Sequence, residues 1–202
     1  MTRDDANNQL PSERVEPPRE VPAKVATSTM RAPSLVIVNT GDGKGKSTAA
    51  FGMVIRAVAR GWKVGVIQFI KSGKWHVGEE KVCRDLGVTW MKGGDGFTWE
   101  SDDIDHTREI ALASWELARE SIEGGEFDVV VLDELTYLMT WGWLDVDVVV
   151  ACLRARPSHV NIIVTGRDAP QELIEVADTV TEMRNVRHAF DQGIRARRGI
   201  DF

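Results

Sequence analysis

The chain has 202 residues, 43% of them hydrophobic and 28% charged, which is typical of a soluble globular protein with one well-buried core. Its formal net charge of −6 excludes a bulk attraction to nucleic acid or to an anionic membrane. Neither a long apolar run nor the apolar stretch of a signal peptide is present, so we expect a cytoplasmic protein that does not enter a membrane. Two distant cysteines, Cys83 and Cys152, give no support to a disulfide framework or a thiolate metal site.

Residues 1–33 differ in composition from the rest of the chain. They contain five of the seven prolines, mixed with charged residues and few large apolar side chains. Such a segment buries too little apolar surface to offset the entropy lost on ordering. We therefore predict a flexible, proline-rich N-terminal extension, followed by one domain over residues 34–202. Whether the extension orders against a ligand or a partner subunit is left open by the sequence.

From residue 34 onward, short apolar runs alternate with helical patterns. Six runs predict strands, at residues 35–38, 64–69, 88–91, 127–132, 161–165 and 179–183. Helical spacing predicts five helices, at residues 46–60, 79–86, 103–123, 145–154 and 170–177. Strands that are apolar nearly throughout and alternate with helices predict an α/β fold, with a mostly parallel sheet covered by helices on both faces.

Two of the predicted helices carry an apolar stripe at helical spacing. The first is expected to bury Phe51, Val54, Ile55 and Val58. The longest is expected to bury Ile104, Ala111, Trp115, Ala118 and Ile122.

A glycine-rich loop joins the first predicted strand to the first predicted helix. It consists of Thr40, Gly41, Asp42, Gly43, Lys44, Gly45, Lys46, Ser47 and Thr48. Glycines allow successive backbone amides to converge on phosphate oxygens, and the helix N-terminus adds a partial positive charge. Lys46 would neutralise a nucleoside triphosphate, and the Ser47 hydroxyl would coordinate Mg²⁺. The loop predicts a P-loop NTPase-like fold, although its first glycine lies one position later than in the usual spacing.

Two later strand ends carry residues suited to the same ligand. Asp133 and Glu134 follow the apolar run 129–132, where an acid can hold Mg²⁺ directly or through water. Arg167 follows the strand 161–165, at the end of the sheet where ligands bind in open α/β folds. Arg167 is predicted to reach a phosphate, and a surface ion pair is an equally good interpretation.

Five segments in order resemble those of one known family. They are the loop and helix start at 40–52, the loop at 96–100, the run at 133–137, the run at 165–167 and the closing segment at 188–202. Together they resemble the CobA/BtuR/CobO corrinoid adenosyltransferases. The resemblance covers the chain from about residue 34 onward.

The resemblance implies an ATP:cob(I)alamin adenosyltransferase of adenosylcobalamin biosynthesis or salvage, in which cobalt(I) attacks C5′ of ATP and expels triphosphate. It also implies Mg²⁺ or Mn²⁺ as cofactor, a homodimer, and reduction of the corrinoid by a flavin-type reductant protein. By the same resemblance, Lys46 grips the departing triphosphate. Phe97 and Trp99 pack below the corrin ring and displace the lower axial ligand of cobalt.

Two other function classes are compatible with the loop alone. One is a P-loop ATPase or kinase, in which Glu134 positions the attacking water or hydroxyl. The other is a nucleotide-dependent switch that signals through the N-terminal extension. The roles of Glu79 and of the basic tail at 184–198 are not assigned by the sequence, nor are the identity of the corrinoid and of the electron donor.

Overall fold

The computed structural model describes residues 31–69, 78–92 and 104–201. The described elements all lie within one compact unit, Ala32–Phe202. The predicted flexible extension lies almost entirely outside the described residues and stays a prediction. Phe97 and Trp99 also lie outside the described residues, so the roles expected of them stay predictions.

In the described ranges, six parallel strands form one sheet in the order β3-β2-β4-β5-β1-β6. The strands are β1 (Val36–Thr40), β2 (Val64–Gln68), β3 (Thr89–Lys92), β4 (Val129–Asp133), β5 (Asn161–Thr165) and β6 (Thr179–Glu182). The helices are α1 (Lys46–Val58), α2 (Gly78–Asp85), α3 (Ile104–Glu123), α4 (Thr136–Thr140), α5 (Val146–Ala155) and α6 (Gln171–Val176). None of these helices is both long enough and apolar enough to cross a membrane.

The central strands are buried on both faces, as the near-continuous apolar runs predict. On one side Val130 and Leu132 of β4 share a core cluster with Trp115 of α3. On the other side Val129 and Val131 of the same strand share a cluster with α1. Because successive strand residues point to opposite faces, both faces need a helical cover. The predicted α/β class is confirmed, and the described sheet is entirely parallel.

Two residues of the predicted helix stripes are exposed instead of buried. Ile55 is 55% exposed because α1 turns Ala50, Val54 and Ala57 toward the sheet. Ile104 is 66% exposed because it occupies the first position of α3, ahead of the buried stripe. In α1 the small residues Ala50 and Ala57 mark the buried face better than Ile55 does, since alanine allows the helix to approach the sheet closely.

The strand and helix boundaries differ from the prediction by a few residues. The β4 strand begins at Val129, and Phe127 before it covers Gly65 of β2, whose added Cβ would lie 3.3 Å from the Phe127 ring. The short helix α4 and a 3₁₀ turn at Phe190–Gln192 were not predicted. Helices of one turn have too few residues to show an apolar period, so sequence spacing does not reveal them.

Candidate nucleotide-binding site

The carboxyl ends of β1, β4 and β5 meet at one edge of the sheet, because these three strands are parallel neighbours. A pocket opens at this edge. It is lined by Lys44, Gly45, Lys46, Ser47, Thr48, Glu79, Glu134, Tyr137, Thr165, Gly166, Arg167 and Asp201. The fold thus brings together the glycine-rich loop, Glu134 and Arg167, as the sequence predicted.

The glycine-rich loop is packed against the chain that follows β6. Gly43 N donates a hydrogen bond of 2.6 Å to Met183 O. A Cβ on Gly41 would lie 2.5 Å from that same carbonyl oxygen, and Gly41 has φ +93°. A Cβ on Gly43 would lie 2.7 Å from the backbone of Arg184. The glycines are therefore needed for close backbone approach, which orients the loop over the sheet edge.

Thr40 occupies the position where the usual spacing has its first glycine. It is the last residue of β1, and its hydroxyl accepts a hydrogen bond of 3.1 Å from Ala169 N. The side chain thereby joins the glycine-rich loop to the loop after β5. Since Thr40 has strand geometry, a glycine is not required there, and the turn begins one residue later, at Gly41.

Lys46 is folded back onto its own loop. Its Nζ donates to Gly41 O at 2.7 Å and to Gly43 O at 2.8 Å. Burial lowers the pKa of Lys46, and the positive charge of Arg167 lowers it further, whereas Asp42, Glu134 and Asp168 oppose the shift. Burial has removed part of the ammonium's hydration, so a phosphate oxygen that supplies negative charge would stabilise this cation.

The N-terminus of α1 faces the same pocket. Gly45 at its N-cap has φ +120° and no side chain to accept the first amides, and the first turn of α1 carries no acid. Those amides are therefore available to an anion, and the helix dipole favours negative charge there. Ser47 and Thr48, in the same turn, place hydroxyl groups at the pocket wall.

Asp133 is fully buried beneath the pocket, not in its wall. Its Oδ1 accepts a hydrogen bond of 2.7 Å from the Thr165 hydroxyl, and its Oδ2 accepts one of 3.0 Å from Gln68 Nε2. The carboxylate thus ties together the ends of β2, β4 and β5. The strand pattern did not reveal these two hydrogen bonds.

Glu134 lines the pocket and has an unusual backbone conformation. Its φ is 68°, in the left-handed region, which costs a residue other than glycine about 1–2 kcal/mol. The Glu134 amide donates 3.0 Å to the same Thr165 hydroxyl that bonds Asp133. Strained residues held in this way concentrate at functional sites, because the surrounding structure must fix the side chain in one direction.

Arg167 lies at the pocket rim, with its Nη1 4.0 Å from Asp42 Oδ1. Both side chains are more than half exposed. An exposed pair at this distance contributes little to stability, so the guanidinium is not committed to Asp42. The two interpretations of Arg167, a phosphate contact and a surface ion pair, are thus compatible with each other.

Five pocket residues had no assigned role in the sequence analysis: Glu79, Tyr137, Thr165, Gly166 and Asp201. Each belongs to a segment that was noticed there. Glu79 begins the predicted helix 79–86, Tyr137 ends the run 133–137, Thr165 and Gly166 belong to the run 165–167, and Asp201 lies in the closing segment. Burial, followed by the charge of Glu134, raises the pKa of Tyr137. The tail arginines at 184, 187, 195, 197 and 198 are exposed. The closing segment reaches the pocket through Asp201, which spacing could not predict.

Comparisons with known proteins agree with this geometry. Residues 32–202 match the family described as ATP:corrinoid adenosyltransferase BtuR/CobO/CobP. The chain is 44% identical to corrinoid adenosyltransferase CobA of Salmonella typhimurium, over 83% of this chain and 85% of that protein. It is 40% identical to the corrinoid adenosyltransferase of Escherichia coli K12, over 98% and 99%. It is 41% identical to that of Pseudomonas aeruginosa, over the full length of both. The chain is therefore a member of the ATP:corrinoid adenosyltransferase family.

Proposed function

We propose that this protein transfers the 5′-deoxyadenosyl group of ATP to the cobalt of cob(I)alamin or a related corrinoid and releases triphosphate. The reaction would serve adenosylcobalamin biosynthesis or salvage. The observation that carries the proposal is a phosphate-binding loop with a partly desolvated lysine, in a chain of this family. In this reaction the bound polyphosphate is the leaving group, and the nucleophile does not attack a phosphorus atom.

The bond changes account for the residues needed. A cobalt(I) electron pair forms the cobalt–carbon bond, the C5′–O bond breaks, and its electron pair leaves with the triphosphate. No proton moves at the reacting carbon, so no general base is required. What the protein must supply is stabilisation of the charge that develops on the leaving group. Lys46 would exchange its bonds to Gly41 O and Gly43 O for phosphate oxygens, aided by the amides at the start of α1.

The pocket also offers oxygen ligands of the kind that Mg²⁺ or Mn²⁺ accepts beside a polyphosphate. We propose the Ser47 hydroxyl and the Glu134 carboxylate as the groups nearest the metal. Asp133 would act from behind them, because its carboxylate holds the Thr165 hydroxyl that fixes the Glu134 backbone. A bound divalent cation would neutralise charge on the triphosphate. Thr40, Asp42 and Lys44 would shape the loop, and Arg167 would contact a terminal phosphate.

The corrinoid side of the reaction is proposed from the family resemblance. Phe97 and Trp99 would pack below the corrin ring and displace the lower axial ligand, so that cobalt(II) is reduced more readily. A homodimer, a flavin-type reductant protein as electron donor and a cytoplasmic location belong to the same proposal.

Phe97→Ala and Trp99→Ala are expected to impair adenosylation of cob(II)alamin with a biological reductant far more than adenosylation of prereduced cob(I)alamin. If a variant lost about 120 mV of the shift in potential, the cobalt(I) fraction would fall about 100-fold, since 59 mV is tenfold for one electron. The measurement is the initial rate in both assays. The control is Trp62→Ala. Trp62 precedes β2, at the amino ends of the strands, and its side chain is 47% exposed. Equal losses in both assays would contradict the role given to Phe97 and Trp99.

Product analysis tests the proposed reaction directly. Incubation with ATP, Mg²⁺ and chemically reduced cobalamin should yield equal amounts of inorganic triphosphate and a light-sensitive adenosyl-corrinoid. Release of ADP and phosphate without a corrinoid would instead support the ATPase or kinase alternative. Tight nucleotide binding with no product in any of these mixtures would support the switch alternative.

A further inference from the structure

The closing segment of the chain reaches back to the glycine-rich loop. Asp201 Oδ1 lies 2.6 Å from Lys44 Nζ, although the two residues are 157 positions apart in the sequence. Both side chains line the nucleotide pocket. Neither the phosphate-binding chemistry nor the corrinoid chemistry described above uses this contact.

Asp201 is held in place by its own turn. Its Oδ2 accepts a hydrogen bond of 2.6 Å from Arg197 N, and its backbone N donates to Arg197 O at 2.8 Å. The carboxylate is therefore oriented from one side by a closed turn and presents its other oxygen to Lys44. The Asp201 side chain is 24% exposed, against 47% for the Lys44 side chain. The bonds from Arg197 and Lys44 lower the pKa of Asp201, so the group remains charged at neutral pH.

The turn that carries Asp201 lies beside two helices of the site. Gly199 and Ile200 line a shallow groove together with residues of α1 and α2. Glu79, at the start of α2, lines both this groove and the nucleotide pocket. Ile200 is still 71% exposed, so the groove contributes only a modest anchor. The Lys44–Asp201 pair is accordingly the main direct link between the closing segment and the loop among the described contacts.

We propose that Asp201 is a positioning residue for the polyphosphate of the nucleotide, acting through Lys44. A free lysine side chain samples many rotamers, and ordering it opposes binding. An ammonium group has three donors, so Lys44 can keep its bond to Asp201 and direct the others at phosphate oxygens. The Asp201 carboxylate thus orders the Lys44 side chain before the nucleotide binds. This inference rests on the proposed use of the loop for polyphosphate, but not on the corrinoid reaction.

The test is direct binding of MgATP and of inorganic tripolyphosphate, measured by calorimetry. Asp201→Asn should weaken both ligands by about fivefold, the range for a partly exposed charged pair. Asp201→Glu, which keeps the charge, should retain most of the affinity. The matched control is Asp191→Asn, since Asp191 is an exposed tail carboxylate that pairs with Asn185 at 3.3 Å and does not line the pocket. In steady-state turnover, Asp201→Asn should raise the KM for ATP, while its kcat should stay within about twofold of the wild-type value.

A double-mutant cycle with Lys44→Gln separates positioning from a general effect on folding. If Asp201 acts through Lys44, adding Asp201→Asn to Lys44→Gln should cause no further loss of tripolyphosphate affinity. Unchanged tripolyphosphate binding by folded Asp201→Asn, judged by its melting temperature, would overturn the proposal. Tighter binding would overturn it too, because the carboxylate would then compete with the ligand. Failure of wild-type protein to form an adenosyl-corrinoid would count against the proposed reaction alone, since the binding measurement does not involve cobalt.

Discussion

Lys46→Ala is expected to lower kcat/KM for ATP by about 10³-fold, the effect of removing one well-placed donor to a developing anion. In the free protein the Lys46 ammonium is partly desolvated, and among the described residues its hydrogen bonds go to the carbonyls of Gly41 and Gly43, which have other lone pairs. On reaction it would compensate part of the charge that develops on the leaving triphosphate. The measurement is triphosphate release together with the absorbance change of adenosyl-corrinoid formation, under prereduced conditions.

The control for Lys46→Ala is Lys63→Ala, an exposed lysine before β2 whose backbone N bonds Asp128. That variant should keep wild-type kinetics, because truncation leaves its backbone contacts intact. The free energy of unfolding of Lys46→Ala should change by no more than about 1 kcal/mol, since the lost hydrogen bonds are offset by relief of a desolvated charge. Undiminished formation of the organometallic product by Lys46→Ala would refute the proposed grip on the leaving group.

Gly41→Ala is expected to be the most damaging single-methyl change in the loop. The new Cβ would lie 2.5 Å from Met183 O and 2.9 Å from Met183 N, and the φ of +93° is itself unfavourable for alanine. Because these two Met183 atoms belong to the backbone, movement of a side chain cannot relieve the clash and the loop itself must move. A displacement of about 1 Å at a reacting group lowers activity about 100-fold, and we expect a loss of that size in kcat/KM. The strain should also destabilise the fold by about 1–3 kcal/mol.

Gly52→Ala provides the matched control for Gly41→Ala, because it adds the same methyl group eleven residues further along. Gly52 lies inside α1 with nothing within 4 Å of the added Cβ. Alanine in a helix interior is better than glycine by about 0.5–1 kcal/mol, so this variant should melt at a higher temperature with unchanged kinetics. Melting curves and ATP kinetics of the two variants form one comparison. A Gly41→Ala protein as active as Gly52→Ala would show that the loop tolerates displacement.

Local pattern was sufficient for the fold class and for placing the glycine-rich loop between the first strand and the first helix. Continuous apolar runs and period-3.6 apolar spacing depend on residues a few positions apart, and so does the glycine spacing of the loop. The alternation of strand and helix then implies parallel strands with their carboxyl ends at one edge. For that reason Lys46, Ser47, Glu134 and Arg167 could be assigned to one pocket from the sequence.

Side-chain partners across the sheet could not be predicted in the same way. Asp133 was predicted as a metal ligand, which stays a prediction, and the sequence did not indicate that its carboxylate bonds Thr165 and Gln68 beneath the pocket. These partners come from β5 and β2, and both become neighbours of β4 only through the strand order. Exposure of Ile55 was missed for a related reason, since which side of a helix faces the sheet depends on close packing of small residues.

The amino-acid sequence by itself therefore determined the α/β class, the place of the glycine-rich loop and the family. Only the tertiary structure decided that Thr40 replaces a glycine by ending β1, that Glu134 is held in a left-handed conformation, and that Asp201 meets Lys44. The physical reason is the range of the interactions. Backbone conformation and apolar spacing depend on residues that are close together in the sequence. Hydrogen bonds between distant residues form only once the strands have taken their order in the sheet.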